Sequence, residues 1–510
     1  MTRSPVTIAV ALLSLSSIAA LSQACTNAGG PNDGRLGTVH FATTCSVSVA
    51  PQFDRAVALL HSFEFGASIK GFDAVLASDS TCAMAYWGIA LSRWTNPMAP
   101  GNRPVAVLKA GREAASAAQR LGARASERER GYIDAVATLF SDYEHVDQRT
   151  RVAAYERAMG ELVMRQPADT EAMIFHALSL TASASPTDKT YANQLKAGAI
   201  LEPLWEKQPN HPGLAHYIIH TYDAPPLAAR ARAAAERYAS IAPCAAHALH
   251  MPSHTFTRLG MWSESANANA QSMTVALRDG SMAEALHAAD YEMYAYLQMG
   301  KEAEAKAILD GLPAIAARFD PVAITGAAPG SAGVFALAAI PARWVLERDA
   351  WAEAAALEPH ASSFPYTEAM TYFARALGAS HTGDLERARA AIDSLASIEQ
   401  RLRASGEGYW AEQVAIERLG ARAWLDLAEH REGEALTHMR EAAAREDLTE
   451  KSAVTPGPLA PARELLGDML VVLRRPGEAR VEYRATLAKE PNRRHSRERL
   501  KGLPGEAPRG

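Results

Sequence analysis

The chain has 510 residues, of which 48% are hydrophobic and 21% charged, a balance that is ordinary for a globular protein with a large core. Its net charge of −5 at pH 7 gives no reason to expect a nucleic-acid partner. Alanine is abundant and runs of β-branched residues are rare, which favours helix over strand.

Residues 1–24 are expected to be an export signal. Arg3 supplies a positive charge, Val6 to Leu21 is mostly apolar, and small residues at 22 and 24 precede a cleavage position. This apolar run is too short for a convincing membrane-spanning helix. The mature protein is therefore expected in the periplasm or cell envelope.

The residue that follows the signal is a cysteine, Cys25. Residues 21–25 resemble a bacterial lipoprotein box, although Gln23 fits it poorly. Cys25 is therefore either a lipidation site or the first residue after simple cleavage. A lipid at this position would be the only membrane contact that we expect.

Three further cysteines are Cys45, Cys82 and Cys244, and an exported protein can form disulfides. We expect a Cys45–Cys82 pair because both would lie near the first helical hairpin, which leaves Cys244 free. The alternative is that all three are small buried hydrophobic residues.

A tetratricopeptide-like repeat stands out near the C-terminus. Leu466-Gly467 is followed twelve residues later by Ala479, then by Tyr483 and Pro491. Small residues are needed where two helices cross closely, the aromatic ring fills the groove between them, and proline stops the second helix. Weaker copies recur over residues 55–495. They predict an all-α fold, an α-solenoid of roughly ten to thirteen helical hairpins.

Composition changes along the chain suggest a division into segments. Thr325 begins a Gly/Ala/Pro-rich loop that either separates two halves of the solenoid or forms a lid over its concave face. The expected order is a flexible tether at 25–38, N-terminal repeats at 39–324, the loop at 325–335, C-terminal repeats at 336–501 and a disordered tail at 502–510.

Five stretches of the chain resemble, in this order, a bacterial family of exported tetratricopeptide-repeat-like proteins: HSFEFGASIKGFDAVLASDSTCAMAYWGIA, HPGLAHYIIHTYD, HMPSHTFTRLGMW, HAADYEMYAYLQMGK and IPARWVLER. The resemblance covers nearly all of the mature chain, and the histidine-rich motifs are its most specific part. It implies a helical-repeat fold and export, and it implies no particular reaction.

Histidines are concentrated between His211 and Asp290, which hold seven of the 16 in the chain. Spacings of three and four place such side chains on one face of a helix. Pro252 interrupts the middle group, so a helix either kinks there or begins there. If it begins there, His247 and His250 lie on the preceding loop.

Neutral imidazole is the commonest metal ligand, and histidines on neighbouring helices can converge on one ion or on two. Such a site favours zinc, iron, copper or manganese over calcium or magnesium. The candidate ligands are His216, His220, His250, His254, His287 and Asp290. The candidate supporting residues are His247, Asp223 and Tyr291.

The alternative is a structural network in which histidines pack between helices and bond to aspartates. His61 and His176, on apolar faces, are expected in the core. No HExxH, Walker A, GxGxxG, GxSxG or CxxCH motif is present, so no reaction is assigned. Asp223 would be the general base only in a hydrolytic site.

Two functions therefore remain open. One is an exported metalloprotein, and the other is a cell-envelope module that binds a peptide or protein in its concave groove.

Overall fold

The computed structural model describes residues 35–99 and 101–504. These residues form 24 α-helices and no β-strand, apart from an isolated bridge between Arg35 and Gly37. The all-α prediction is confirmed. The expected signal peptide at 1–24 and the candidate lipidation site Cys25 lie outside the described residues. None of the described helices is long and apolar enough to cross a membrane.

Helices of the N-terminal half are α1 (Ala50–His61), α2 (Phe65–Ser78), α3 (Ala83–Arg93), α4 (Val105–Leu121), α5 (Glu127–Thr138), α6 (Gln148–Arg165), α7 (Thr170–Ser183), α8 (Ala192–Lys207), α9 (Pro212–Thr221), α10 (Arg232–Ile241), α11 (Ala246–His250), α12 (Pro252–Arg258), α13 (Trp262–Asp279), α14 (Met282–Gln298) and α15 (Glu302–Ala316). Helices of the C-terminal half are α16 (Gly330–Leu346), α17 (Trp351–Ala356), α18 (Pro365–Thr382), α19 (Leu385–Ala404), α20 (Gly408–Ala428), α21 (Glu432–Asp447), α22 (Ala462–Val472), α23 (Pro476–Lys489) and α24 (Arg494–Gly502).

Successive helices pack against each other as hairpins, which stack into a tetratricopeptide-like solenoid. The hairpin of α22 and α23 shows why the repeat has a small residue at one position and an aromatic residue at another. A Cβ atom at Gly467 would lie 2.6 Å from the ring of Tyr483, and both Ala479 and Tyr483 are fully buried. The missing side chain therefore makes room for the aromatic ring, and Pro491 follows soon after α23 ends.

Two large apolar clusters form most of the core. One runs from Leu36 to Phe256 and includes Ala327, and the other includes Ala283 and runs from Ala328 to Tyr483. The Gly/Ala/Pro-rich loop lies where the two clusters meet.

Three of the expected segment boundaries differ in detail. The end of the expected tether is packed, because Leu36 is buried and the Thr38 N–H donates to the Asn210 carbonyl at 2.9 Å. The Gly/Ala/Pro loop ends earlier than 335, since α16 begins at Gly330. The last helix reaches Gly502, the first residue of the expected tail.

The cysteines are more fully paired than expected. Cys45 and Cys82 form a disulfide with an S–S distance of 2.06 Å between the segment before α1 and the start of α3. Cys244 is disulfide-bonded as well, so the expectation of a free thiol there is wrong. Sequence spacing alone does not fix how several cysteines are connected, which is why this pairing was missed.

Replacing Gly467 by alanine should destabilise the protein. The added methyl group would overlap the Tyr483 ring, and overpacking of this kind costs about 1–3 kcal/mol. Gly311, in the middle of α15, has nothing within 4 Å of its would-be Cβ, so Gly311→Ala should stabilise by about 0.5–1 kcal/mol. Urea unfolding of both variants checks this; equal effects of the two substitutions would contradict the packing argument.

The pH dependence of stability should report the pair of His495 and Asp468, whose Nε2 and Oδ2 atoms are 2.9 Å apart. Burial alone would lower the pKa of His495, but the hydrogen bond to Asp468 and the charges of Glu464 and Asp468 raise that pKa to about 9. The stabilisation is therefore fully present below pH 6.5 and is lost as the pH rises through 9.

Between pH 6.5 and 9.5 the wild type should lose about 2–3 kcal/mol more unfolding free energy than His495→Gln. Urea midpoints of both proteins at the two pH values measure this. Parallel losses in the two proteins would show that the pair does not titrate as described.

Candidate metal centre

Four helices of the N-terminal half bring six histidines together. Helix α9 carries His216 and His220, α11 carries His247 and His250, α12 carries His254 and α14 carries His287. A helix does begin at Pro252, one of the two alternatives that the sequence left open. However, His247 and His250 lie on the short helix α11 instead of a loop, and Met251 joins α11 to α12.

The six side chains form two groups of three. The first triad is His216, His220 and His247, and the second triad is His250, His254 and His287. Within each triad, one nitrogen from each ring lies within 4.8 Å of the others. All six residues are buried, with at most 7% of their surface exposed. Each triad thus presents three imidazole nitrogens to one point in the interior.

Hydrogen bonds to Nδ1 fix the protons of the first triad. His216 Nδ1 donates to the His61 carbonyl at 2.6 Å, and His247 Nδ1 donates to Glu284 Oε1 at 2.9 Å. The Nε2 atoms of His216, His220 and His247 are buried and have no hydrogen-bond partner among the described residues. His216 and His247 therefore carry a lone pair on Nε2, and a proton on His220 Nε2 would have no acceptor.

Burial keeps the rings of His216 and His220 neutral. It lowers the pKa of His216 and of His220 well below the usual value, and repulsion from neighbouring histidines lowers both further. Burial alone would raise the pKa of Glu284, but His247 brings it below its ordinary value, so the carboxylate is ionised and accepts the Nδ1 proton.

The second triad has the same organisation. His250 Nδ1 lies 2.6 Å from Asn269 Oδ1, and His254 Nδ1 lies 2.9 Å from Asp223 Oδ2. The amide group of Asn269 donates to the Ser265 carbonyl, so its oxygen faces His250 and accepts. Both histidines therefore carry their proton on Nδ1.

As a result, the unprotonated nitrogens of His250 and His254 approach each other closely. His250 Nε2 and His254 Nε2 are 3.0 Å apart, and burial lowers the pKa of His250 well below the usual value and that of His254 to about 4. Burial also lowers the pKa of His287 to about 3, and its Nδ1 has no partner in the described chain. Two neutral rings with facing lone pairs repel each other unless a cation lies between them.

Asp290 is not part of either triad. Its Oδ1 accepts from Arg343 Nε at 2.7 Å, and both side chains are fully buried. Burial raises the pKa of Asp290 even though Arg343 opposes this. The expectation that Asp290 joins His287 as a ligand is not met, because a three-residue step turns the side chain about 60° away, toward α16.

The three candidate supporting residues, His247, Asp223 and Tyr291, occupy different positions relative to the triads. His247 belongs to the first triad itself. Asp223 supports His254 and is held by Arg258 Nε at 2.8 Å and by Lys451 Nζ at 3.2 Å. The hydroxyl of Tyr291 is 3.4 Å from His254 Nδ1 and bonds mainly to backbone carbonyls of a distant segment.

Residues 448–461, the cover segment, lie over the second triad. Tyr291 donates to the Ala453 and Thr455 carbonyls, and Arg343 donates to the Gly457 and Pro458 carbonyls. The chain itself thus packs against Tyr291 and Arg343 beside the second triad.

The Gly/Ala/Pro-rich loop supports the first triad. The Ala328 N–H donates to Glu284 Oε2 at 2.7 Å, while the other oxygen of Glu284 holds His247. Sequence reasoning missed Glu284 and Asn269. Only Glu284 left a local signal, because it precedes His287 by three residues on α14.

A third group, His61, Glu171 and His211, resembles the triads in composition but not in bonding. Glu171 accepts from both histidines at 2.9 Å, and the other ring nitrogen of His61 is bonded to Tyr217. The carboxylate therefore supplies the acceptors that the triads lack.

His61 lies in the core, as expected, while His176 is half-buried against Glu156.

No family model and no curated protein matches this sequence. The chain is similar to yeast Tom70, with a TM-score of 0.38 and 12% identity over 89% of this chain and 94% of that chain. It is similar to the APC/C hetero-tetramer Cut9–Hcn1, with a TM-score of 0.35 and 14% identity over 83% and 76% of the two chains. Human IFIT1, solved as a dimer with m7Gppp-AAAA, gives a TM-score of 0.36 and 10% identity over 79% and 89%. Likenesses this distant carry no argument about ligand, partner or reaction, and the family resemblance stays a prediction.

Replacing Arg343 by methionine should release the cover segment. The variant leaves the Asp290 carboxylate buried without its partner, which costs about 3–5 kcal/mol, and removes the donors to the Gly457 and Pro458 carbonyls. Limited proteolysis with mass mapping should show new cleavage within residues 448–461. Arg440→Met, at an exposed ion pair, is the control, and a cover segment that stays resistant in Arg343→Met would contradict this role.

Proposed function

We propose that this chain is a tetratricopeptide-like scaffold that holds transition-metal ions in its two histidine triads. The observation that carries the proposal is the convergence of unprotonated nitrogens. In the first triad three Nε2 atoms have no partner, and in the second two Nε2 atoms face each other at 3.0 Å. A cation at each point would turn these unfavourable contacts into bonds.

A purely structural network of histidines would not need several buried nitrogens without hydrogen-bond partners. Each buried polar atom left without a partner costs about 1–3 kcal/mol, and the triads contain several. Metal-bound histidines usually donate the other ring N–H to a carboxylate or a backbone carbonyl, which orients the ring. His216, His247 and His254 all make such bonds.

The donor set narrows the choice of metal. With Asp290 paired to Arg343, each triad offers imidazole nitrogens alone. Among zinc, iron, copper and manganese, imidazole suits zinc, copper and iron, whereas manganese prefers carboxylate and water oxygens. Three protein ligands also leave a coordination position open, as in catalytic zinc sites.

We also propose that the protein is exported to the periplasm or cell envelope. The signal-like residues 1–24 support this, and the Cys45–Cys82 disulfide is of a kind that persists in an oxidising compartment. N-terminal sequencing of the protein from separate soluble and membrane fractions of the envelope tests it. An intact Met1 in all the recovered protein would contradict export, and a lipid-blocked Cys25 would place the protein on the membrane.

Elemental analysis by plasma mass spectrometry tests the metal proposal. The untagged wild type should carry near-stoichiometric zinc, copper or iron, which the double variant His216→Gln/His247→Gln should lose from the first triad. His250→Gln/His254→Gln should lose it from the second. The control is His40→Gln/His145→Gln, because those two side chains are about 80% exposed and lie outside both triads.

Circular dichroism must show that each variant is still helical. If the wild type contains no metal and takes up none when titrated with each of the four ions, the proposal is wrong. The histidines would then be structural, and the alternative of a peptide- or protein-binding envelope module would stand.

A further inference from the structure

We propose that the two triads form one dinuclear centre, which binds a small bridging anion delivered through a cavity that ends beside His220. This inference rests on the proposed function and goes further, because it names the class of ligand and its route. Two isolated structural ions would satisfy the proposed function without it.

The two triads adjoin each other along two edges. His247 and His250 lie on the same short helix with ring centres 5.8 Å apart, and the rings of His220 and His254 are also 5.8 Å apart. These rings are direct neighbours, so they connect the two triads without any other side chain. Ions in two-metal sites are about 3.5–4 Å apart, so that one small ligand reaches both.

Open positions on the two ions would lie toward each other. Each triad supplies three nitrogens, and the opposite side of every ring with a defined Nδ1 bond is occupied by His61, Glu284, Asn269 or Asp223. The outer nitrogens of these four rings are thus occupied by the protein, and an exogenous ligand would bind on their inner side. A cationic pair with vacant positions attracts an anion.

A cavity of about 380 Å³ provides access to this point. Its lining includes His220 of the first triad and Asp223, the partner of His254. It also includes Thr181, Ala184, Tyr191 and Lys451 of the cover segment. The cavity thus reaches His220, whose ring lies 5.8 Å from that of His254, and gives small molecules a path toward an otherwise buried centre.

Copper(II) and azide are suitable probes of the centre. The purified full chain is loaded with two equivalents of copper(II), and its paramagnetic resonance intensity is compared with that of His250→Gln/His254→Gln loaded with one. Azide is then titrated and followed by its charge-transfer absorption. We expect intensity below that of two isolated ions in the wild type, full intensity in the variant, and one azide per two coppers.

The route is tested with a tryptophan at the cavity wall. Ala184→Trp should slow azide association at least about tenfold without changing copper content, because Ala184 lines the cavity and lies outside both triads. Ala303→Trp, on an exposed position of α15, is the matched control. Equal association rates in the two variants would overturn the proposed route.

The other outcomes separate this inference from the proposed function. Two coppers with full, uncoupled intensity, or azide binding independently to each ion or to neither, would leave a metalloprotein with two separate sites and overturn the dinuclear centre. Failure to bind copper, zinc or iron at all would overturn both proposals.

Discussion

The structure around the histidines depends on one rule of imidazole chemistry: a neutral ring has a single proton, so a hydrogen bond at one nitrogen decides the state of the other. The His61 carbonyl, Glu284, Asn269 and Asp223 each take the Nδ1 proton of one ring. Burial lowers the pKa of His216, His250 and His254 and so opposes a second protonation of those rings. The interior therefore contains histidine nitrogens whose lone pairs have a fixed orientation. The surrounding contacts hold these rings in place.

Maintaining that set requires contacts from far along the chain. Glu284 is held by the Gly/Ala/Pro-rich loop, and Asp223 is held by Arg258 and by Lys451 of the cover segment. Arg343 then fixes the cover segment through its carbonyls while pairing with Asp290. The C-terminal half thus contributes directly to a site whose histidines all lie in the N-terminal half, which couples the two parts of the solenoid.

The sequence predicted the parts of this site that follow from helical periodicity. It identified the repeat fold and the i,i+4 pairs on α9 and across Pro252, because such spacings act locally. It misplaced Asp290, since a 60° difference in direction decides whether a side chain meets a histidine or the next helix. It also missed the pairing of Cys244, because sequence spacing alone does not fix how cysteines are connected.

The group of His61, Glu171 and His211 serves as an internal comparison for the triads. It contains two histidines at similar depth together with a carboxylate, and Glu171 bonds to both histidines at 2.9 Å. Burial of histidine is therefore not in itself a sign of a metal site in this protein. What distinguishes the triads is that the acceptors of His216, His247, His250 and His254 lie at Nδ1, on the outside, while the inward Nε2 atoms of His216 and His247 meet no donor. A carboxylate at the centre would have matched protons to acceptors, as Glu171 does in the third group, and neither triad contains one.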